Sequence, residues 1–272
     1  LGYAATVYAI GVRRPKRAHI PIYNAYIVLL NCAKSKHEFV LQLKERTPML
    51  PLGDDNSRRR LLPVVTYALI VINLLVFVLI ELPSPDLDAL IMAWGTVPSE
   101  IVAGRGLITL LTSMFLHGGW AHLGGNMLFL WIFGDNVEDA LGYGLYLAFY
   151  LVSGLAASLA QVVLDTSSSI PGVGASGAIS GVLAAYIVMF GSNRVRVLMG
   201  RVITSVPAYM MIGVWIALQF VNGVASLATT AQTGGVAYGA HIGGFIAGLI
   251  LTFLLRGFMR LPPTAAGSSR RP

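Results

Sequence analysis

Charge is what this chain has least of. Only 11% of its 272 residues are Asp, Glu, Lys or Arg, against 56% apolar, and the mean hydropathy is +0.72. A water-soluble globular domain carries roughly 25% charged residues, so the composition excludes an ordinary soluble domain. Cysteine is nearly absent too: the single Cys32 excludes an internal disulfide framework and any reading of redox compartment from cysteines. Lysine is missing from most of the chain. All four (Lys16, Lys34, Lys36 and Lys44) precede residue 48, and beyond it every positive charge is an arginine. Residues 1–48 hold eight Lys/Arg against Glu38 and Glu45, whereas residues 49–272 hold eleven arginines against ten acids. The net charge of +7 therefore belongs to the N-terminal piece, and no basic patch interleaved with aromatics suggests a nucleic-acid partner.

That break in composition divides the chain. Residues 1–48 read as a basic N-terminal extension, either a disordered or peripheral tail or sequence that is not native, in which case the natural chain would begin at Met49. Residues 49–60 read as a cytoplasmic connector, 61–260 as the folded body and 261–272 as a short cytoplasmic tail. The apolar run 22–30 is too short to span a bilayer, and no small-residue cleavage site follows it as a secretory signal requires.

What the body has in abundance is apolar sequence in long blocks, at 61–82, 120–141, 145–164, 176–191, 202–227 and 239–258. Each approaches the ~20 residues that a helical span requires, the fourth being short. The expected fold is an all-α membrane protein, a bundle of six spanning helices surrounded by lipid. Arginines orient it. Arg58, Arg59 and Arg60 precede the first block; Arg194, Arg196 and Arg201 join the fourth and fifth; Arg256, Arg260, Arg270 and Arg271 follow the sixth. With six spans these clusters fall on one side, which the positive-inside rule makes cytoplasmic. An acidic turn at 135–139 falls on that side too, but acids weigh little in the rule. The connection 83–119 carries apolar runs too short to cross and is expected to lie partly embedded in the membrane.

Polar groups inside spans cost free energy and usually serve a purpose. His122 and Asn126, four apart, share one helix face, with His117 just upstream. Gly174, Ala175, Ser176 and Gly177 enter the fourth block from a Gly/Ser-rich loop. Ala240 and His241 open the sixth. The second, fourth and sixth blocks all start from the external face, so His122, Ser176 and His241 share one depth although they are distant in sequence. Gly177, Gly181 and Ala185 recur every four residues, as do Ala240, Gly244 and Gly248. Such small-residue faces let helix backbones approach closely, and if these two meet, Ser176 and His241 come within reach.

A serine hydroxyl needs a base to become a nucleophile, and the tetrahedral intermediate needs donors aimed at its oxyanion. Ser176 and His241 are the candidate dyad. His122, Asn126 and the backbone N–H of Ser176 are the candidate oxyanion donors. Competing chemistries fit less well: the soluble-hydrolase elbow G-x-S-x-G is not matched, H-E-x-x-H is absent, and no pair of intramembrane aspartates is available. A transporter with a polar pathway would not account for the shared depth of the three sites.

These residues resemble the rhomboid family of intramembrane serine proteases. The likeness covers approximately 61–258 and is carried by Gly174 to Gly177, by His122 with Asn126, and by Ala240 and His241 with Gly244 and Gly248. It implies a Ser176–His241 dyad, oxyanion assistance from His122 and Asn126, a structural role for His117, and no metal or organic cofactor. It further implies single-span membrane-protein substrates cut near their outer ends, and, from the compact six-span body, a bacterial plasma membrane. The chain makes two departures from the family pattern. Ile108 and Thr109 stand where many members carry Trp-Arg, and Ser180 stands where an aromatic often packs on the histidine ring, so another group must orient His241. The alternative within the family is an inactive relative that binds membrane clients. Oligomeric state is not legible.

Overall fold

The computed structural model describes residues 49–57, 59–228 and 237–260; the extension 1–48, Arg58 and the tail 261–272 with Arg270 and Arg271 lie outside the described residues. The described chain is mostly helical. Strand β1 (Leu50–Gly53) precedes helix α1 (Val64–Val76), which continues through a π-turn at Phe77–Glu81. Three short helices, α2 (Leu87–Trp94), α3 (Pro98–Val102) and α4 (Thr109–Thr112), build the connection to α5 (Trp120–Leu141). Then come α6 (Tyr143–Leu164), α7 (Ser176–Phe190), strands β2 (Arg194–Met199) and β3 (Val202–Pro207), α8 (Ala208–Ala228) and α9 (Tyr238–Leu254).

Among the described residues, Val64–Glu81 and Tyr143–Leu164 are long and apolar enough to cross a membrane; Ser176–Phe190, Ala208–Val224 and Tyr238–Leu254 are shorter apolar segments. Helix α7 is the hub. Every residue from Gly177 to Tyr186 is buried, because α5, α6 and α9 all pack on it. A helix apolar on all sides belongs in such a position. Helix α1 packs on α5, and α8 packs on α9 and α7.

The structure corrects three expectations. The fifth block, expected as one span over 202–227, begins in strand β3, and the helix starts only at Ala208. Its partner β2 alternates exposed Arg194 and Arg196 with fully buried Val195 and Val197, the two-residue period of a half-buried strand. Gly200, at φ +60, leads the two-residue Gly200–Arg201 turn between them, the position where a II′ hairpin requires glycine. Second, β1 pairs antiparallel with β2, so the connector contains a strand and the fold is helical with a small sheet rather than all-α. Third, the acidic segment 135–139 is no turn; it lies in the C-terminal part of α5.

Those acids have a structural task. Pro63 occupies the N-cap of α1 and offers no side-chain cap, which leaves the first N–H groups of the helix in need of acceptors. Glu138 of α5 supplies them, taking hydrogen bonds from Val65 N (2.8 Å), Thr66 N (2.7 Å) and Thr66 Oγ1 (2.7 Å). Asp139 accepts from Arg60 N at 2.8 Å and Leu61 N at 2.7 Å. Arg59 pairs with Asp135 and Arg60 with Asp139. Carboxylates are favoured at a helix N-terminus, where the macrodipole is positive. Beside this cluster, the Tyr186 hydroxyl and the Asn136 amide both donate to Asp54 Oδ2, at 2.6 and 2.7 Å, and tie the β1 segment to α5 and α7. Burial pushes the Asp54 carboxyl up to about 6, with the Tyr186 hydrogen bond opposing it.

Glu138→Ala should lower stability by about 1–3 kcal/mol, the cost of stranding buried donors. Glu138→Gln, which keeps one acceptor oxygen, should lose less. Thermal unfolding in detergent reads both; an unchanged midpoint for the alanine variant would remove the capping role.

Candidate active site

The site is built on the contact between α7 and α9. A Cβ added to Gly244 would stand 2.1 Å from the carbonyl oxygen of Gly177, and one added to Gly248 would stand 2.4 Å from Cα of Gly181. The two glycine ladders therefore face each other, backbone against backbone, at a separation no larger residue allows. Helix α6 closes the third side with small residues of its own: a Cβ on Gly177 would meet Ala157 at 2.6 Å, and one on Gly243 would meet Ala160 at 2.2 Å.

That approach sets Ser176, the first residue of α7, against His241 in the first turn of α9. Nε2 of His241 lies 2.7 Å from Ser176 Oγ. The other ring nitrogen, Nδ1, lies 2.7 Å from Oε1 of Gln219 on α8. Trp215, one helical turn before Gln219, places its ring 5.7 Å from the imidazole at 41°. Ser180, where the family pattern has an aromatic, instead donates its hydroxyl to the carbonyl of Ser176 at 2.6 Å. It binds its own helix backbone, as serine in a helix commonly does. Gln161 of α6 accepts the N–H of Ala240 at 3.2 Å and so caps the start of α9 beside the histidine.

His122 and Asn126 stand on the first two turns of α5. His122 Nδ1 faces the N–H of Gly118 at 3.4 Å. Its Nε2 lies so close to Gly174 that a Cβ there would be 2.6 Å away, and the same Cβ would be 3.5 Å from Ser176 Oγ. Gly174 has φ +123, a backbone conformation that L side chains rarely adopt, so both space and dihedral call for glycine. Asn126 is buried, and its Nδ2 donor has no hydrogen-bond partner among the described residues. His117 is fully buried and sets its ring edge-on to His122, 5.1 Å between centroids. Its backbone N–H is gripped by both oxygens of buried Glu81, at 2.9 and 3.1 Å. A small cavity beside Ser176 is lined by Ser113, Gly154, Ser158, Gln161 and Gly174.

The loop that delivers Ser176 is braced by the α1–α5 connection. Thr96 and Gly172 exchange backbone hydrogen bonds of 2.9 and 2.8 Å, and Gly174 N donates to Ser113 O at 2.8 Å. Thr96 Oγ1 donates to Thr109 O and pairs with Ser113 Oγ, each at 2.9 Å. These contacts, with the Arg105–Glu100 ion pair, hold the connection in which Ile108 and Thr109 replace the Trp-Arg pair.

Sequence reasoning missed Gln219, Trp215, Gln161 and Glu81. The signal was present for Gln219: an amide amid apolar residues, four positions after a tryptophan and so on the same helix face. Glu81 lay unremarked at the end of the first apolar block.

The fold and the site thus define a helical bundle in which a serine hydroxyl meets an imidazole from another helix. The chain belongs to the rhomboid family: residues 104–258 match the model of the Rhomboid domain, and family membership makes it an integral membrane protein. It is 33% identical over 190 residues to rhomboid protease GluP of Bacillus subtilis (strain 168), covering 70% of this chain and 35% of that protein. It is 30% identical over 196 residues to the mitochondrial Rhomboid protein 1 of Saccharomyces cerevisiae, covering 68% and 51%. Rhomboid protease AarA of Providencia stuartii is 33% identical over 160 residues, covering 52% and 53%. The chain thus spans between about a third and about half the length of these relatives. Because relatives are bacterial, mitochondrial and chloroplastic alike, membership does not assign the bacterial membrane expected from the compact body.

Gly244→Val should destabilise the fold by about 1–3 kcal/mol or more, the usual range for overpacking, since the group it meets is backbone and cannot swing aside. Gly125→Ala, where a Cβ meets nothing within 4 Å, should leave stability unchanged or raised. Equal unfolding temperatures for the two variants would refute the close approach of α7 and α9.

Proposed function

We propose that the protein is an intramembrane serine endopeptidase that cleaves single-span membrane proteins through a Ser176–His241 dyad. The observation that carries this reading is the 2.7 Å contact between Ser176 Oγ and His241 Nε2, made between residues 65 positions apart. The domain is residues 61–260, with α1, α5, α6, α7, α8 and α9 as its six spanning helices and the α1–α5 connection embedded in the outer interface. Exposed apolar residues on that connection (Met92, Trp94, Val102, Leu107 and Ile108) support its lying in lipid. Arg59, Arg60, Arg194, Arg196, Arg201, Arg256 and Arg260 mark the cytoplasmic side, and the site opens on the opposite face.

In this mechanism His241 takes the proton from Ser176 Oγ as the oxygen attacks the scissile carbonyl carbon. The carbonyl oxygen gains negative charge and needs donors. Asn126 Nδ2 is buried without an acceptor among the described residues. His122 Nε2 lies against Gly174 beside the nucleophile. The first turn of α7 leaves backbone N–H groups without intrahelical acceptors at its positive end. His241 then protonates the leaving amine, and water hydrolyses the acyl-serine by the same route reversed.

A fluorophosphonate should label the purified protein, and Ser176→Ala should abolish both labelling and cleavage of a single-span substrate in detergent or liposomes. His241→Ala should remove activity as fully, because a dyad has no spare base. Asn126→Ala should retain a residue of activity, as one oxyanion donor is worth about 3 kcal/mol. Labelling that survives in Ser176→Ala would sink the protease reading; folded protein that never labels would favour an inactive, client-binding relative.

A further inference from the structure

We propose that Gln219 and Trp215 of α8 form the clamp that orients the base, making Gln219 a third, uncharged member of the Ser176–His241 pair; the inference rests on the dyad reading above. An imidazole can serve as base toward serine only if the nitrogen facing the hydroxyl carries the lone pair, and the hydrogen bond at the other nitrogen decides this. In hydrolytic triads a carboxylate takes that hydrogen bond. Here the group at Nδ1 is the side-chain oxygen of Gln219, 2.7 Å away. An amide oxygen accepts and cannot donate. With that oxygen turned to the ring, the proton sits on Nδ1, which leaves Nε2 as the acceptor facing Ser176 Oγ at 2.7 Å. One amide thus fixes both the tautomer and the rotation of the ring.

The same helix supplies the ring's apolar support. Trp215 and Gln219 are four residues apart, hence on one face of α8, and the indole lies 5.7 Å from the imidazole. In this chain the position one turn after the nucleophile is Ser180, whose hydroxyl is committed to the Ser176 carbonyl. Support for the base has moved from the nucleophile's own helix to α8, and the polar half of the clamp came with it. Around the ring, α5 presents His122, α6 presents Gln161 beside Ala240, and α7 presents Ser176. Gln219 is the hydrogen-bond partner of Nδ1 among the described residues. A carboxylate there would be costly to hold in an apolar bundle, whereas a neutral amide supplies the acceptor without a buried charge.

Gln219 is a positioning residue, and its contribution is separable from packing by side chains of matched length. Gln219→Met keeps the volume and removes the acceptor. Gln219→Glu keeps the length and an acceptor oxygen. Cleavage kinetics with a single-span substrate should show kcat reduced about 10–100-fold in the methionine variant, the usual effect of removing an orienting partner, with KM unchanged. The glutamate variant should retain most of the activity. Trp215→Ala should lower kcat, and Trp215→Phe, which keeps an aromatic ring, should lower it less. Rates are to be normalised to the folded fraction from thermal unfolding, so that a variant that folds poorly is not scored as inactive. If packing alone mattered, methionine would equal or exceed glutamate, and that ranking would overturn the proposal. So would a rise in KM with kcat intact. Fluorophosphonate labelling of the parent and of Ser176→Ala, run alongside, separates a failure of the clamp from a failure of the dyad: a labelled parent with an unlabelled alanine variant leaves the dyad standing whatever Gln219 does.

Discussion

The contact of α7 with α9 is the constraint on which the rest of the site depends. Helices that meet through glycines have no side chains to adjust, so their separation is fixed by backbone van der Waals radii. Ser176 and His241 inherit that fixed distance because Ser176 begins α7 one residue before Gly177, and His241 lies in the first turn of α9, about one turn before Gly244. The alanines of α6 extend the same rule to a third helix. Association of helices in lipid lacks a hydrophobic drive and relies on such close packing, so the element that holds the bundle together also sets the geometry of the chemistry.

The opposite end of the bundle is held differently. There the acids at the end of α5 act on the N-terminus of α1, and Asp54 joins the β1 segment to Asn136 and Tyr186. Hydrogen-bonded carboxylates fix the frame where arginines and loops meet, and bare backbone contact fixes it where the reacting groups lie. The division is sensible physically. Charged networks tolerate the hydrated margin of a membrane protein, while glycine contacts cost nothing to bury.

Much of this was legible in the sequence, for stated reasons. Ser176, His122 and His241 stand out because polar residues in apolar helices are expensive, and the six-block pattern puts them at one depth. The glycine spacing suggested which faces could meet. The hairpin was not legible: Arg194, Arg196 and Arg201 were read as a charge cluster for orientation, and the alternation with Val195 and Val197 was absorbed into the apolar block that follows. Gln219 was passed over because an isolated amide in a helix carries no motif; its partner lies 22 positions further on, and only the fold joins them. Glu81 was similarly silent, since its ligand is a backbone N–H, which no sequence pattern advertises. The expectations for 1–48 and for 261–272 concern residues outside those described.

Helix α7 has 15 residues, which at 1.5 Å per residue is about 22 Å, against about 30 Å of hydrocarbon. The shortfall falls wholly at one end if its other end meets the Arg194 hairpin at the membrane margin. Ser176, which opens that helix, then lies short of the level that a full-length span would reach. His122, Asn126, Gln161 and Gln219, the polar residues gathered near Ser176 and His241, are drawn from three different helices. A helix short of the bilayer by more than one turn thereby gathers into one account four polar residues that would otherwise look like separate anomalies.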